Sequence, residues 1–264
     1  MAQPLPSMRN PATMADQKLA NFALALGDDA LVLGHRLSEW SSKAPSLEED
    51  IALSNLGLDM IGQARLFYQV AARAEDKGRD EDQLAYFRDA TEFRNILLVE
   101  QPRGDFATTM ARQLVVAAFL QPYYIALMRS PQWELAEIAA KAAKEMAYHV
   151  RHASEWVIRL GDGTDESRRR MRAALDAIWP FTGELFDMDA SEQALAEAGT
   201  VPSRASIRPA FDATLDRVLS QAMLERPKRD ATQSGGRSGN HTPHLAEMLA
   251  DMQSLARAHP GAQW

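Results

Sequence analysis

Acids, imidazoles and amides recur at helical spacing in three stretches of this chain. In the first, Asp28, His35 and Glu39 fall within about 40° of one another at 100° per residue, opposite Phe22 and Leu26. In the second, Asn55, Asp59 and Gln63 line up at i, i+4 and i+8, and in the third Glu145, His149 and His152 share a face with Lys141 and Trp156. Such a set is what a carboxylate-bridged pair of metal ions draws on. That site takes one Glu from each of two helices and a Glu-x-x-His from each of two more.

Measured against that template the set is incomplete. Glu39 can serve as a first ligand, but the second stretch offers Met60-Ile61-Gly62-Gln63 where Glu-x-x-His is required, and the residue three before His149 is Met146, a thioether poorly suited to a hard iron ion. No acid occurs between Phe106 and Met128, so a third ligand helix is empty. The expectation is therefore that Asp28, His35, Glu39, Asp59, Gln63, Glu145, His149 and His152 form a vestigial metal site or a hydrogen-bonded polar core. No catalytic residue and no metal is assigned to this chain. No G-x-S-x-G, G-x-G-x-x-G, G-x-x-x-x-G-K or H-E-x-x-H occurs, which weakens the hydrolase, dinucleotide, P-loop and zincin classes. Arg237, His241 and His244, in and just after a glycine-rich loop near the C-terminus, are candidates to contact a partner or the phosphates of a substrate.

Helices must position these residues. Apolar residues at three- and four-residue spacing predict long helices over 17–40, 47–73, 82–98, 105–128 and 131–160, and shorter ones over 165–179, 191–198, 206–225 and 243–258, with no convincing strand. The fold expected is all-α, a long-helix bundle with additional C-terminal helices. Residues 1–16, with three of the thirteen prolines, read as a loose tail, and 17–264 as one domain. The second and fourth helices are apolar around most of their circumference, which places them in the middle of a bundle or against another chain in an interface larger than about 2,000 Å².

Composition narrows the class further. The 264 residues, 46% of them hydrophobic, suffice for a large core; the absence of cysteine removes disulfides, thiolate metal sites and thiol nucleophiles, and fits a cytoplasmic protein. A net charge of −7 argues against nucleic acid or an anionic membrane as partner, and the longest apolar run, Leu114 to Leu120, is far too short to span a bilayer.

Five blocks, LGDDALVLGHRLSEW, LEEDIALSNLGLDMIGQAR, LLVEQPRGDFATTMARQ, KEMAYHVRHASEWVIRLGDGTDES and GGRSGNHTPHLAEMLADMQSLARAHPGAQW, closely resemble the C-subunit (PaaC) family of the bacterial phenylacetyl-CoA ring epoxidase, from about Ala20 to Trp264. The resemblance implies a ferritin-like bundle within a multicomponent oxygenase of aerobic phenylacetate degradation. It further implies that a homologous A subunit holds the di-iron site and binds the acyl-CoA, that a reductase delivers electrons from NADPH, and that this chain supports the A subunit with degraded ligands of its own. Contact of this chain with phenylacetyl-CoA stays open. Two alternatives stand beside this reading: a self-sufficient di-iron oxidase or ferroxidase, and a self-assembling storage or stress bundle.

Overall fold

Ser46 accepts the Glu49 N–H on its hydroxyl and Asp105 the Thr108 N–H on its carboxylate, so the helix starts expected near 47 and 105 rest on side-chain caps. The computed structural model describes residues 14–262, and among them are ten α-helices and no strand. Four are long: α1 (Met14–Ser38), α2 (Leu47–Glu75), α5 (Phe106–Leu127) and α6 (Trp133–Gly161). The shorter ones are α3 (Glu81–Tyr86), α4 (Leu97–Glu100), α7 (Asp165–Ile178), α8 (Ala190–Glu197), α9 (Arg208–Gln221) and α10 (Pro243–Ala258). The molecule is an all-α, ferritin-like bundle. Because α1 already begins at Met14, residues 14–16 are helical rather than tail, and the remainder of the expected tail lies outside the described residues.

The long helices pair as two antiparallel hairpins. In the first, α1 and α2 approach closely where side chains are smallest: a Cβ built on Gly34 would lie 3.2 Å from the Gly57 carbonyl, and one on Gly27 would lie 2.6 Å from two carbons of the Tyr68 ring. In the second, α5 packs along α6 and is so enclosed that every residue from Thr109 to Leu120 is buried, Arg112 and Gln113 included. The fourth sequence helix is thus the central one. Its Arg112 donates Nη1 to the carbonyls of Gln101 and Pro102, no carboxylate among the described residues pairs with it, and burial pushes its pKa down to about 10.

The helix expected over 82–98 is not continuous, and the reason is electrostatic. It stops at Tyr86, passes through a 3₁₀ turn at Ala90–Glu92, extends, and resumes only as α4. Backbone N–H groups that a helix would have satisfied internally are claimed by buried carboxylates: Arg94 donates to Asp28 Oδ2 (2.7 Å), Ile96 to Asp29 Oδ1 (2.8 Å) and Leu97 to Glu184 Oε2 (2.6 Å). The Arg88 guanidinium folds back over this segment, donating Nε to the Leu84 carbonyl and both Nη atoms to Asp28, which also accepts the Tyr68 hydroxyl at 2.6 Å. Burial works against the Arg88 charge, yet Asp28 and Tyr68 hold its pKa above the ordinary value.

Glycine-to-alanine exchange separates propensity from packing in the first hairpin. Gly62 is mid-helix with only the Lys141 Nζ near its missing Cβ, at 3.9 Å, so Gly62→Ala is expected to raise stability by about 0.5–1 kcal/mol in urea denaturation. Gly27→Ala drives a methyl into Tyr68, and the same assay is expected to show a net loss of about 1–3 kcal/mol.

Candidate functional site: a polar row between α2, α5 and α6

Between α2 and α6, which run antiparallel, side chains meet as a row rather than as an apolar seam. Gln63 donates its Nε2 to Glu145 Oε2 at 2.9 Å and accepts the Tyr124 hydroxyl on Oε1 at 3.2 Å; Lys141 pairs with the other Glu145 oxygen at 2.8 Å. One turn along α6, fully buried His149 lies between Asp59 Oδ2, 3.2 Å from its Nε2, and Gln113 Nε2, 2.8 Å from its Nδ1. His152 then places Nε2 2.9 Å from Glu49 Oε2 and stacks its ring on Tyr148.

Charge fixes the protons in this row. An Nε2 that faces a carboxylate must carry hydrogen, and a neutral ring then leaves Nδ1 bare to accept from the Gln113 amide. Burial depresses the His149 pKa below its usual 6.5, against the pull of Asp59. The neutral Nε2–H form is the one the surroundings select.

The structure brings together only part of the expected set. Asp59, Gln63, Glu145 and His149 share the row, with His152 beside it. Asp28 does not join them, because it is the counter-ion of Arg88. Glu39 accepts from Arg36 Nη1, and half-buried His35, its pKa lowered by burial against the pull of Glu39, stays with that group at the C-terminal end of α1. Arg237 and His241 turn inward: Arg237 forms a two-pronged pair with Asp29 (2.6 and 3.1 Å) and donates to the Ala25 and Arg94 carbonyls, while His241 sits between Glu100 Oε2 (2.7 Å) and the Phe93 carbonyl (2.9 Å). Their loop is pinned by Glu184, whose Oε1 accepts the N–H groups of Gly235, Gly236 and Arg237. His244 is half-buried, its Nδ1 3.6 Å from Glu247 and its carbonyl accepting from Arg36 Nη2.

Several residues of these networks escaped the spacing argument. Gln113 and Tyr124 come from the helix that lacks acids; their signal is that Arg112-Gln113 interrupts an otherwise apolar stretch. Asp29, Glu100 and Glu184 carried no spacing signal, since their partners lie far away in sequence.

A di-iron pair does not fit this donor set. Amide nitrogens of Gln63 and Gln113 point at Glu145 and His149 and put N–H groups where a metal needs lone pairs, and among the described residues no three His, Asp or Glu side chains converge in a metal-holding group.

Fold and row together define an all-α, ferritin-like bundle in which α2, α5 and α6 meet through hydrogen-bonded acids, amides and an imidazole. The chain belongs to the family described as Phenylacetic acid catabolic protein, whose model matches residues 4–264. It is 47% identical over 247 residues to the C subunit of the 1,2-phenylacetyl-CoA epoxidase of Escherichia coli (strain K12), an alignment covering 94% of this chain and 99% of that protein.

His149→Gln, which keeps a hydrogen-bonding group, is expected to fold with near-native stability, whereas His149→Ala strands Asp59 and Gln113 and is expected to cost about 1–3 kcal/mol in thermal or urea melts. The two buried histidines also titrate in opposite senses. With its pKa lowered, His149 contributes fully above the unfolded value of 6.5 and loses that contribution as pH falls below it through the folded value. The pKa of His241 is raised, because Glu100 and the Phe93 carbonyl outweigh burial; its contribution is full below 6.5 and is lost as pH rises through the folded value. The stability gap between the native chain and His241→Gln is therefore expected to narrow from pH 6 to pH 9, and that of His149→Ala to narrow from pH 7.5 to pH 5.

Proposed function

We propose that this chain is the structural, non-catalytic subunit of a multicomponent di-iron monooxygenase that epoxidises the aromatic ring of phenylacetyl-CoA in aerobic phenylacetate catabolism. In this reading a homologous A subunit holds the iron and the acyl-CoA, a reductase supplies electrons from NADPH, and this chain carries no cofactor and works in the cytoplasm. The observation that carries it is the row itself: Glu145 and His149 of α6 are engaged by the amides of Gln63 and Gln113, and Glu145 also by Lys141, inside a bundle whose named relative is an epoxidase subunit. Among the described residues no helix is long and apolar enough to cross a membrane.

Support for a partner comes from α2. The apolar residues of that helix divide: Leu53, Leu56 and Met60 are in the core, while Leu47, Ile51 and Leu58 lie within about 40° of one another on the outer side and are 71%, 54% and 65% exposed. This is the face assigned to the A subunit.

Metal analysis of the purified chain and turnover of phenylacetyl-CoA by the A subunit, with and without it, test the assignment. The expected result is substoichiometric iron in this chain and turnover that depends on it. Near-stoichiometric iron bound here would establish the self-sufficient oxidase instead. Ile51→Glu with Leu58→Glu is expected to abolish co-purification with the A subunit while shifting the stability of the isolated chain by no more than about 0.5 kcal/mol per substitution, since both side chains are exposed.

A further inference from the structure

On another part of the molecule, α3 and the end of α10 enclose a long open groove in two lobes of about 430 and 580 Å³ that share Asp82, Phe87, Gly261 and Ala262. Its floor is apolar, formed by Tyr86, Phe87, Met252 and Leu255, and two of these large side chains are turned outward, Phe87 45% and Leu255 56% exposed. Its charges are unevenly matched. The cations of the second lobe are already spent, Arg79 on Glu75 and Arg88 on Asp28, while Arg257 on the adjoining face is held by Asp89. The acids are in surplus: Asp80 caps a backbone N–H, Glu92 caps another and adds to the field on Arg79 and Arg88, and Asp82 forms no ion pair among the described residues, standing beside Asp80 and Glu81, with His259 also lining the groove. Burial, Asp80 and Glu81 push the Asp82 carboxyl above its usual range against the pull of Arg65, whose guanidinium is already paired with Glu81.

We propose that the α3–α10 groove is the docking site for an amphipathic segment of a partner protein that lays apolar side chains on Phe87 and Leu255 and brings a lysine or arginine to Asp82. The two lobes run on into each other, and the open, apolar floor suits a helix or extended segment more than a small molecule, which would need convergent polar groups to orient it. Unmatched acid at one rim selects the sign of the partner's charge. This surface is separate from the α2 face, so it goes beyond the assignment of the A subunit.

Fluorescence anisotropy with the full chain and a labelled synthetic 18-residue amphipathic peptide, leucines on one face and lysines flanking it, tests this directly, beside a twin carrying glutamates for the lysines. The lysine peptide is expected to bind, more weakly at high salt, and to lose affinity about tenfold with Leu255→Asp or Asp82→Lys. In Asp82→Lys the preference should reverse toward the glutamate peptide. Absence of binding, or binding indifferent to both substitutions in variants that melt like the native chain, would overturn the proposal. So would a concentration-dependent dimer dispersed by Leu255→Asp, which gives the groove to a second copy. A chain ending at Ala262 that binds the peptide when the full chain does not would give it to residues 263–264 and overturn the proposal equally.

Discussion

Two adjacent carboxylates on α1 organise one whole side of this molecule. Asp28 and Asp29 are buried among apolar neighbours, where an unpaired charge costs several kcal/mol, and each is compensated by an arginine from a distant part of the chain. Asp28 fixes Arg88 and the turn that follows α3; Asp29 fixes Arg237 and thereby the loop leading to α10. Both also accept a backbone N–H from the extended segment between α3 and α4. That segment has no helical ladder of its own, so its path is dictated by where the acids of α1 and Glu184 present their oxygens. Asp29, whose pKa burial raises against the pull of Arg237, shows the balance involved: desolvation and ion pairing are both large, and the geometry must satisfy every lone pair for the sum to favour the fold.

Amphipathic periodicity made most of the architecture legible. The long helices, their starts near 47 and 105 and the absence of strands all follow from local pattern, because each is decided by residues within a few positions of one another. The error over 82–98 has the opposite origin: its residues favour helix locally, and carboxylates sixty or more residues away in sequence outbid the helical ladder for the N–H groups of Arg94 and Ile96. The same distance hid the roles of Arg237 and His241. A glycine-rich loop with an arginine and a histidine reads on paper as a surface for ligands, and only the fold shows both side chains consumed by internal acids. For the polar row, spacing sufficed to group Asp59 with Gln63 and Glu145 with His149, and periodicity on single helices could not tell that Asp28 faces a different neighbour.

Between α2, α5 and α6 the bundle solves a problem that a metal solves elsewhere. Acids and an imidazole facing one another across a gap repel or remain unsatisfied unless something positive or hydrogen-bearing stands between them. Here amide groups of Gln63 and Gln113, the Tyr124 hydroxyl and the Lys141 ammonium supply the hydrogens. Such a row is directional, since each donor has one acceptor, and it sets the register of α6 against α2 where apolar packing alone would permit sliding.

The clasp of Glu184 around the amides of Gly235, Gly236 and Arg237, and the pairing of Arg237 with Asp29 across 208 residues of sequence, have a consequence for how the chain is made. A ribosome releases α1 long before the arginine that neutralises Asp29. During that interval Asp29 must stay hydrated or protonated, because its buried position is tolerable only with the guanidinium in place. The α1–α2 hairpin can therefore form early along its Gly27–Tyr68 and Gly34–Gly57 side, while the side that carries Asp29 stays open until the loop of Arg237 has emerged. In the folded bundle the Arg237 loop is the latch that makes the burial of Asp29 tolerable.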